Sequence, residues 1–135
     1  MPASTAVTQG GRGVITSRLI GTATGVPHHI GWGTGTNATL TSDTQLQTED
    51  TGGSPAYARV LGSGTQTTTT STNDTFTCIG TITSNGTKTI TECGLFTAAT
   101  SGTLFVRGVL ATAITVAVND SVQFTFNTQI TSAVV

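Results

Sequence analysis

From residue 57 onward, the chain consists of short runs in which β-branched, aromatic and threonine residues predominate, separated by glycine, asparagine and serine. Such runs are typical of β-strands. They recur at intervals of about ten residues, as expected for an antiparallel sandwich, jelly roll or barrel. The predicted strands are 56–62, 65–72, 75–83, 88–96, 103–111, 114–118 and 121–131.

The first part of the chain is less regular. Residues 1–13 are small and polar with a Gly-Gly pair, and we expect a flexible N-terminal arm there. Residues 14–21 (VITSRLIG) predict a first strand, and residues 22–39 predict a glycine-rich loop. Residues 41–50 predict a short helical turn with a serine or aspartate cap.

The order of these elements indicates the fold class. No predicted strand alternates with a long amphipathic helix, so a parallel α/β fold is not expected. The length of 135 residues fits one domain. The sequence therefore predicts an all-β fold, a jelly-roll-like antiparallel sandwich formed by residues 14–135, preceded by the arm.

An Asn-Gly pair, Asn85-Gly86, lies between two predicted strands. It predicts a hairpin with a type I′ turn, because both central residues of that turn need positive φ. In this register Cys78 lies directly opposite Cys93, at about 5.5 Å between Cα atoms, which a disulfide tolerates. In a reducing cytoplasm the same residues would remain thiols and pack as small buried side chains. Both states stay open at this stage, and the reduced state is favoured.

The charge composition excludes some classes of protein. Charged residues make up 8% of the chain, against about 25% in an average soluble domain, and the net charge is -1. The five basic residues are scattered, which argues against nucleic-acid binding. No stretch approaches the roughly 18 apolar residues of a membrane span, and the first residues show no apolar core of a signal peptide.

The same composition bears on assembly. Strand edges are normally protected by lysine, proline or bulges against pairing with other chains. This β-rich chain has three prolines and a single lysine. It must therefore either aggregate or bury its edges in a specific assembly, and we favour the assembly.

The candidates for chemistry are few. His28 and His29 lie in the glycine-rich loop beside Trp32, either as a metal or pH-sensing pair or as residues at a subunit contact, which we favour. Zinc is not predicted, because adjacent residues of an extended chain point apart and the chain has no second cysteine pair. The segment GWGTGT (31–36) lacks the lysine and the following helix of a phosphate-binding loop.

One carboxylate stands in the middle of a predicted strand. Glu92 is either a catalytic group or the partner of an arginine such as Arg107 or of backbone N–H groups, and we favour the second interpretation. With so small a set of catalytic side chains, we expect a protein that is not an enzyme and that uses no cofactor.

Three stretches resemble, in order, a family of short structural proteins from tailed bacteriophages. They are HHIGWGTGT (28–36), TITECGLF (89–96) and VAVNDSVQFTFNTQIT (116–131). The similarity extends over residues 14–131 and departs from the family at Asn119, where glycine is frequent. Both residues suit a tight turn.

The resemblance implies a virion structural protein. Small all-β decoration (cement) proteins of this kind typically form trimers on the capsid. By this resemblance we expect a homotrimer on the capsid exterior, assembled in the host cytoplasm and bound to the major capsid protein, with no nucleic acid or membrane as partner. We expect the contacts to come from residues 1–20 and 22–36. The candidate contact residues are Arg12, Arg18, His28, His29 and Trp32.

Two alternatives remain open at this stage. The first is a tail fibre or tail-tip component that binds a host surface glycan through Trp32 and Tyr57. The second is a secreted adhesin or pilin-like module, which a disulfide between Cys78 and Cys93 would favour and the lack of a signal peptide disfavours.

Overall fold

Two antiparallel sheets form the body of the computed structural model, which describes residues 2–22, 25–50 and 59–132. One sheet has the strand order β1-β7-β6-β2-β3, and the other has the order β4-β5-β8. Within the described residues the elements are β1 (Pro2–Val7), α1 (Gln9–Leu19), β2 (His29–Gly33), β3 (Val60–Leu61), β4 (Ser63–Thr67), β5 (Thr75–Thr83), β6 (Lys88–Phe96), β7 (Leu104–Val116) and β8 (Ser121–Gln129).

The main apolar core contains side chains from both sheets. Ile30, Trp32 and Leu95 come from the five-stranded sheet, and Cys78 and Phe126 come from the three-stranded sheet. Burial of these side chains between the sheets is the main favourable contribution to folding. The predicted all-β antiparallel sandwich is confirmed, and a jelly-roll-like arrangement is compatible with it.

The predicted hairpin around Asn85-Gly86 is wrong. Strand β5 pairs with β4 and β8, whereas β6 pairs with β2 and β7, so residues 84–87 cross from one sheet to the other. The Ser84 N–H donates to the Asp120 carbonyl at 2.7 Å, and the Ser84 carbonyl accepts from Asn119 N–H at 2.9 Å. The crossing from β5 to β6 is thus hydrogen-bonded to the crossing from β7 to β8, which residues 117–120 form.

The pairing of whole strands outweighs the local turn signal. In separate sheets, β5 and β6 bury one face each against the other sheet, and both cysteines enter the same core. A turn preference acts over two residues, while strand register is determined by the entire buried face. Asn119 has a positive φ of 69° in the connection between β7 and β8.

The N-terminal segment differs from the expected arm and strand. Residues 2–7 pair with β7, and Val7 lies opposite Val106. Thr8 caps α1 by accepting from Gly11 N–H at 2.9 Å, and its own N–H donates to the Phe105 carbonyl at 3.1 Å. The strand predicted for residues 14–21 is wrong, because most of that stretch belongs to the helix.

Close packing explains this helix better than helix propensity does. A Cβ atom at Gly11 would lie 2.2 Å from the Phe105 carbonyl oxygen, so only glycine lets the first turn approach β7 this closely. Val14 is buried in the main core. Such tertiary contacts override the weak helix propensity of a segment with three glycines.

The segment between β2 and β3 has no helix in its described part. Residues 41–50 form turns and a single bridge between Glu49 and Gly33, so the predicted helical turn is wrong. The Asp43 side chain accepts from Leu40 N–H at 2.9 Å, and Asp43 N–H donates to the Leu40 carbonyl at 3.1 Å. Asp43 therefore stabilises a tight turn that does not continue as a helix.

Candidate functional site

Glu92 and Arg107 form a buried ion pair across β6 and β7. The Arg107 Nε donates to Glu92 Oε2 at 2.9 Å, and the two residues are 2% and 0% exposed. The Glu92 carboxylate also accepts from the backbone N–H groups of Gly35 (3.1 Å), Gln47 (3.0 Å) and Thr48 (2.7 Å). The prediction that Glu92 pairs with Arg107 or with backbone N–H groups is confirmed in both parts. The three backbone contacts hold residues 34–50 against the sheet.

A second ion pair fixes the same segment. Arg59 donates from Nε and Nη2 to the two carboxylate oxygens of Glu49, at 2.6 and 2.9 Å. Its Nη1 donates to the carbonyls of Ala98 and Ser101, at 3.0 and 2.6 Å. Its guanidinium lies 3.4 Å from the centre of the Phe96 ring, a cation–π contact. The donors of Arg59 are thereby engaged within the protein.

A third pair links Lys88 to Asp50, and Lys88 also donates to the Asn85 side chain at 2.8 Å. Together with Arg107–Asp43 at 3.1 Å, these pairs involve three of the five basic and four of the six acidic residues. Most of the charge of this chain therefore serves internal contacts.

Three of the predicted contact residues, His28, His29 and Trp32, lie in or just before β2, and Trp32 is in the core. Trp32 is 0% exposed and packs edge to face on Phe124, with ring centres 6.3 Å apart. Trp32 therefore cannot contact a partner or a sugar in this conformation, which corrects that prediction. His28 and His29 are half-buried, with ring centres 5.2 Å apart. Burial lowers the pKa of His29, and the charges of His28 and Arg59 lower it further.

The two cysteines do not face each other. Cys78 lies opposite Phe126 in one sheet, and Cys93 lies opposite Trp32 and Gly108 in the other. Both are buried free thiols. Burial raises the pKa of Cys93 to about 12, with a further contribution from the Glu92 charge, and burial also raises the pKa of Cys78. The prediction that Cys78 lies directly opposite Cys93 is wrong. Both cysteines are reduced in the structure.

The remaining predicted contact residues, Arg12 and Arg18, lie exposed on helix α1. Beside this helix is a mainly apolar groove of about 520 Å³, which we call the α1 groove. Helix residues line one side of it, and the rest is lined by residues of the loop before β2, of strands β4, β5, β7 and β8, and by Ile130 just after β8. The sequence prediction missed this groove because it assigned residues 14–21 to a strand.

One long strand edge is open among the described strands. β8 pairs only with β5, and its nine residues contain no charge and no proline. Between the β8 edge and β1 lies a cleft of about 290 Å³, whose lining includes Cys93, Val106, Phe124 and Phe126. By the usual rules of edge protection, this edge is free to pair with another chain.

The described residues contain no cluster of three or more His, Cys, Asp or Glu side chains that could hold a metal ion. They also contain no helix that is long and apolar enough to cross a membrane. Comparison with known proteins found no matching family model, no matching curated protein and no matching solved structure.

Proposed function

We propose that this protein is a bacteriophage virion structural protein, and specifically a decoration protein. In this proposal a homotrimer binds the outside of the major capsid protein lattice and stabilises the shell. The sequence resemblance over residues 14–131 supports the virion role. The distribution of charge and the open strand edge support the assembly.

The open β8 edge is the observation that carries the proposal. An uncharged nine-residue edge beside an apolar cleft favours uncontrolled pairing unless another subunit covers it. The chain does not protect this edge with charge, because most of its charged side chains form internal pairs. Such a protein is best suited to a defined assembly in which β8 is covered.

Stabilisation of a shell follows from selective binding. A trimer that binds only the mature lattice stabilises it by mass action. Three equivalent contacts also raise the avidity without a strong individual site. In each subunit, the remaining candidates for contact with the capsid protein are Arg12 and Arg18, which are exposed on α1, and the half-buried His28 and His29.

Light scattering on the purified protein, followed by co-sedimentation with capsids, tests the proposal. We expect a mass three times the 13.6 kDa of the chain and co-sedimentation with expanded shells. Thr125→Lys places a charge on the open β8 edge and should reduce the trimer to monomers. Ile79→Lys is the control, because Ile79 is exposed on the central strand β5 at a position where Ser63 of β4 and Thr125 of β8 pair with it on either side.

A wild-type monomer that does not bind capsids would contradict the proposal. Binding to tails instead of capsids would support the tail-fibre alternative, which the same resemblance allows. Glycan recognition through Trp32 is not part of either proposal, because that ring is buried. Tyr57 lies outside the described residues.

A further inference from the structure

An amine, a carboxamide and a carboxylate meet beside the crossing from β5 to β6. The Nζ atom of Lys88, which is the single lysine of the chain, donates to Asn85 Oδ1 at 2.8 Å. The same Nζ donates to the Asp50 carboxylate. The amine of Lys88 thus contacts both a base that can accept its proton and an amide that it can attack.

The backbone around these side chains holds the three groups in place. Asp50 N–H donates to the Trp32 carbonyl at 3.0 Å, which attaches Asp50 to β2. Lys88 is the first residue of β6, a strand that pairs with β2 and β7. Asn85 follows Ser84, whose N–H and carbonyl are hydrogen-bonded to the crossing from β7 to β8. Groups that are held together in this way react far faster than the same groups free in solution.

The site is partly closed to solvent. The side chains of Lys88 and Asp50 are 15% and 18% exposed. The centre of the Trp32 ring lies 6.0 Å from Lys88 Nζ. Limited access of water favours attack by the amine, because water competes with an amine for the same carbonyl carbon.

We propose that Lys88 and Asn85 form an intramolecular isopeptide bond, with Asp50 as the general base. The Asp50 carboxylate accepts one proton from the Lys88 ammonium group, and the neutral Nζ attacks Cγ of Asn85. The Nζ–Cγ bond forms, one of the two protons left on Nζ passes to Nδ2, and the Cγ–Nδ2 bond breaks. Ammonia leaves and takes the proton from Asp50 as ammonium, so the carboxylate is regenerated. No oxidant or other reactant is consumed.

The product closes a covalent ring within the crossing from β5 to β6. The ring contains residues 85–88 and follows directly on Ser84, which links this crossing to the one from β7 to β8. The bond also removes the positive charge of Lys88. This inference goes beyond the virion role, because the reaction takes place within one chain and holds for any assembly.

Mass spectrometry of the denatured protein and of its tryptic peptides tests the proposal. We expect the wild type to be lighter than its sequence by one molecule of ammonia. Trypsin cleaves after arginine and free lysine, but not after a lysine whose amine is in an amide bond. The bridged chain should therefore yield residues 60–107 as one peptide, whereas an unbridged chain yields residues 60–88 and 89–107.

Three variants separate the roles of the groups. Lys88→Arg keeps a positive charge beside Asp50 but removes the amine, so it should have its full mass and be cleaved after position 88. Asp50→Asn keeps both reacting groups and removes the base, so it should lose most of the bridge. Asp74→Asn is the matched control, because the Asp74 carboxylate accepts from backbone N–H groups of its own loop, and this variant should form the bridge. Circular dichroism of each variant checks that the fold is intact.

Three results would overturn the proposal. A folded wild type with its full mass and with cleavage after Lys88 would show that the contact is an ion pair only. Conversion of the Asn85 amide to a carboxylic acid would show that this side chain deamidates instead. Equal amounts of bridge in Asp50→Asn and Asp74→Asn would exclude Asp50 as the base. None of these results depends on whether the protein forms trimers or binds capsids.

Discussion

The buried guanidinium of Arg107 on β7 donates to the buried carboxylate of Glu92 on β6, at 2.9 Å between Nε and Oε2. Three backbone N–H groups of the segment 34–50, those of Gly35, Gln47 and Thr48, donate to the same carboxylate. One ion pair thus links two strands and the longest irregular segment that the structure describes. The stability of this region should depend on both partners of the pair.

Replacement of Arg107 by methionine should destabilise the protein strongly. The variant leaves the Glu92 carboxylate buried without its cation, and breaking a buried pair in this way typically costs about 3–5 kcal/mol. Urea denaturation measures the change in the free energy of unfolding. Arg12→Met is the control, because Arg12 is exposed on α1 and should change this free energy little. Equal stability of the two variants would show that the pair is not essential.

Two glycines of α1 should respond to alanine in opposite directions. Gly11→Ala places a Cβ atom 2.2 Å from the Phe105 carbonyl oxygen, so the helix must move away from β7 and the protein should lose stability. Gly13 has nothing within 4 Å of such a Cβ atom. Gly13→Ala should therefore stabilise the helix by about 0.5–1 kcal/mol. Urea midpoints of the two variants check this, and a shift in the same direction for both would contradict the close packing of α1.

The buried thiols should make stability depend on pH in the alkaline range. The pKa of Cys93 is raised from 9.0 to about 12, so the native state keeps its proton where the unfolded state loses it. The corresponding stability is fully present below about pH 9 and is lost as the pH rises from about 9 towards 12. We expect the urea midpoint of the wild type to fall between about pH 8 and pH 11 more steeply than that of Cys93→Ala.

The same burial should protect both cysteines from thiol reagents. At about pH 8, the native protein should react slowly with a disulfide reagent, and the unfolded protein should react at once, because only the thiolate is nucleophilic. A fast reaction of two thiols in the native state would contradict the burial of Cys78 and Cys93.

Asp74 should stabilise its loop at neutral pH and lose this effect in acid. Hydrogen bonds from the backbone N–H groups of Ser71 and Thr69 hold the pKa of this carboxyl well below its usual value of 3.8. The resulting stability is present above about pH 4 and decreases as the pH falls through the lowered pKa. Thermal unfolding should show a lower Tm for Asp74→Asn than for the wild type at about pH 7, and a smaller difference at about pH 2. A difference independent of pH would mean that the charge of Asp74 does not contribute.

The sequence was sufficient to locate individual strands and one partner of a buried charge. The predicted strands 75–83 and 88–96 agree with β5 and β6, because dense β-branched and aromatic runs between turn residues are a local property of the chain. Glu92 and Arg107 were also predicted as partners, since a carboxylate in the middle of a buried strand needs a donor. Both inferences need only the nearby sequence or a general rule about buried charge.

The tertiary structure decided which strands pair and what the N-terminal segment becomes. Asn85-Gly86 favours a hairpin locally, but β5 and β6 lie in two separate sheets, and side chains of both strands enter one core. Residues 9–19 form a helix because Gly11 and Val14 pack against β7 and the core, contacts with residues about 90 positions away in the chain. Pairing and packing of this kind depend on the total buried surface of the whole fold, which no short stretch of the sequence contains.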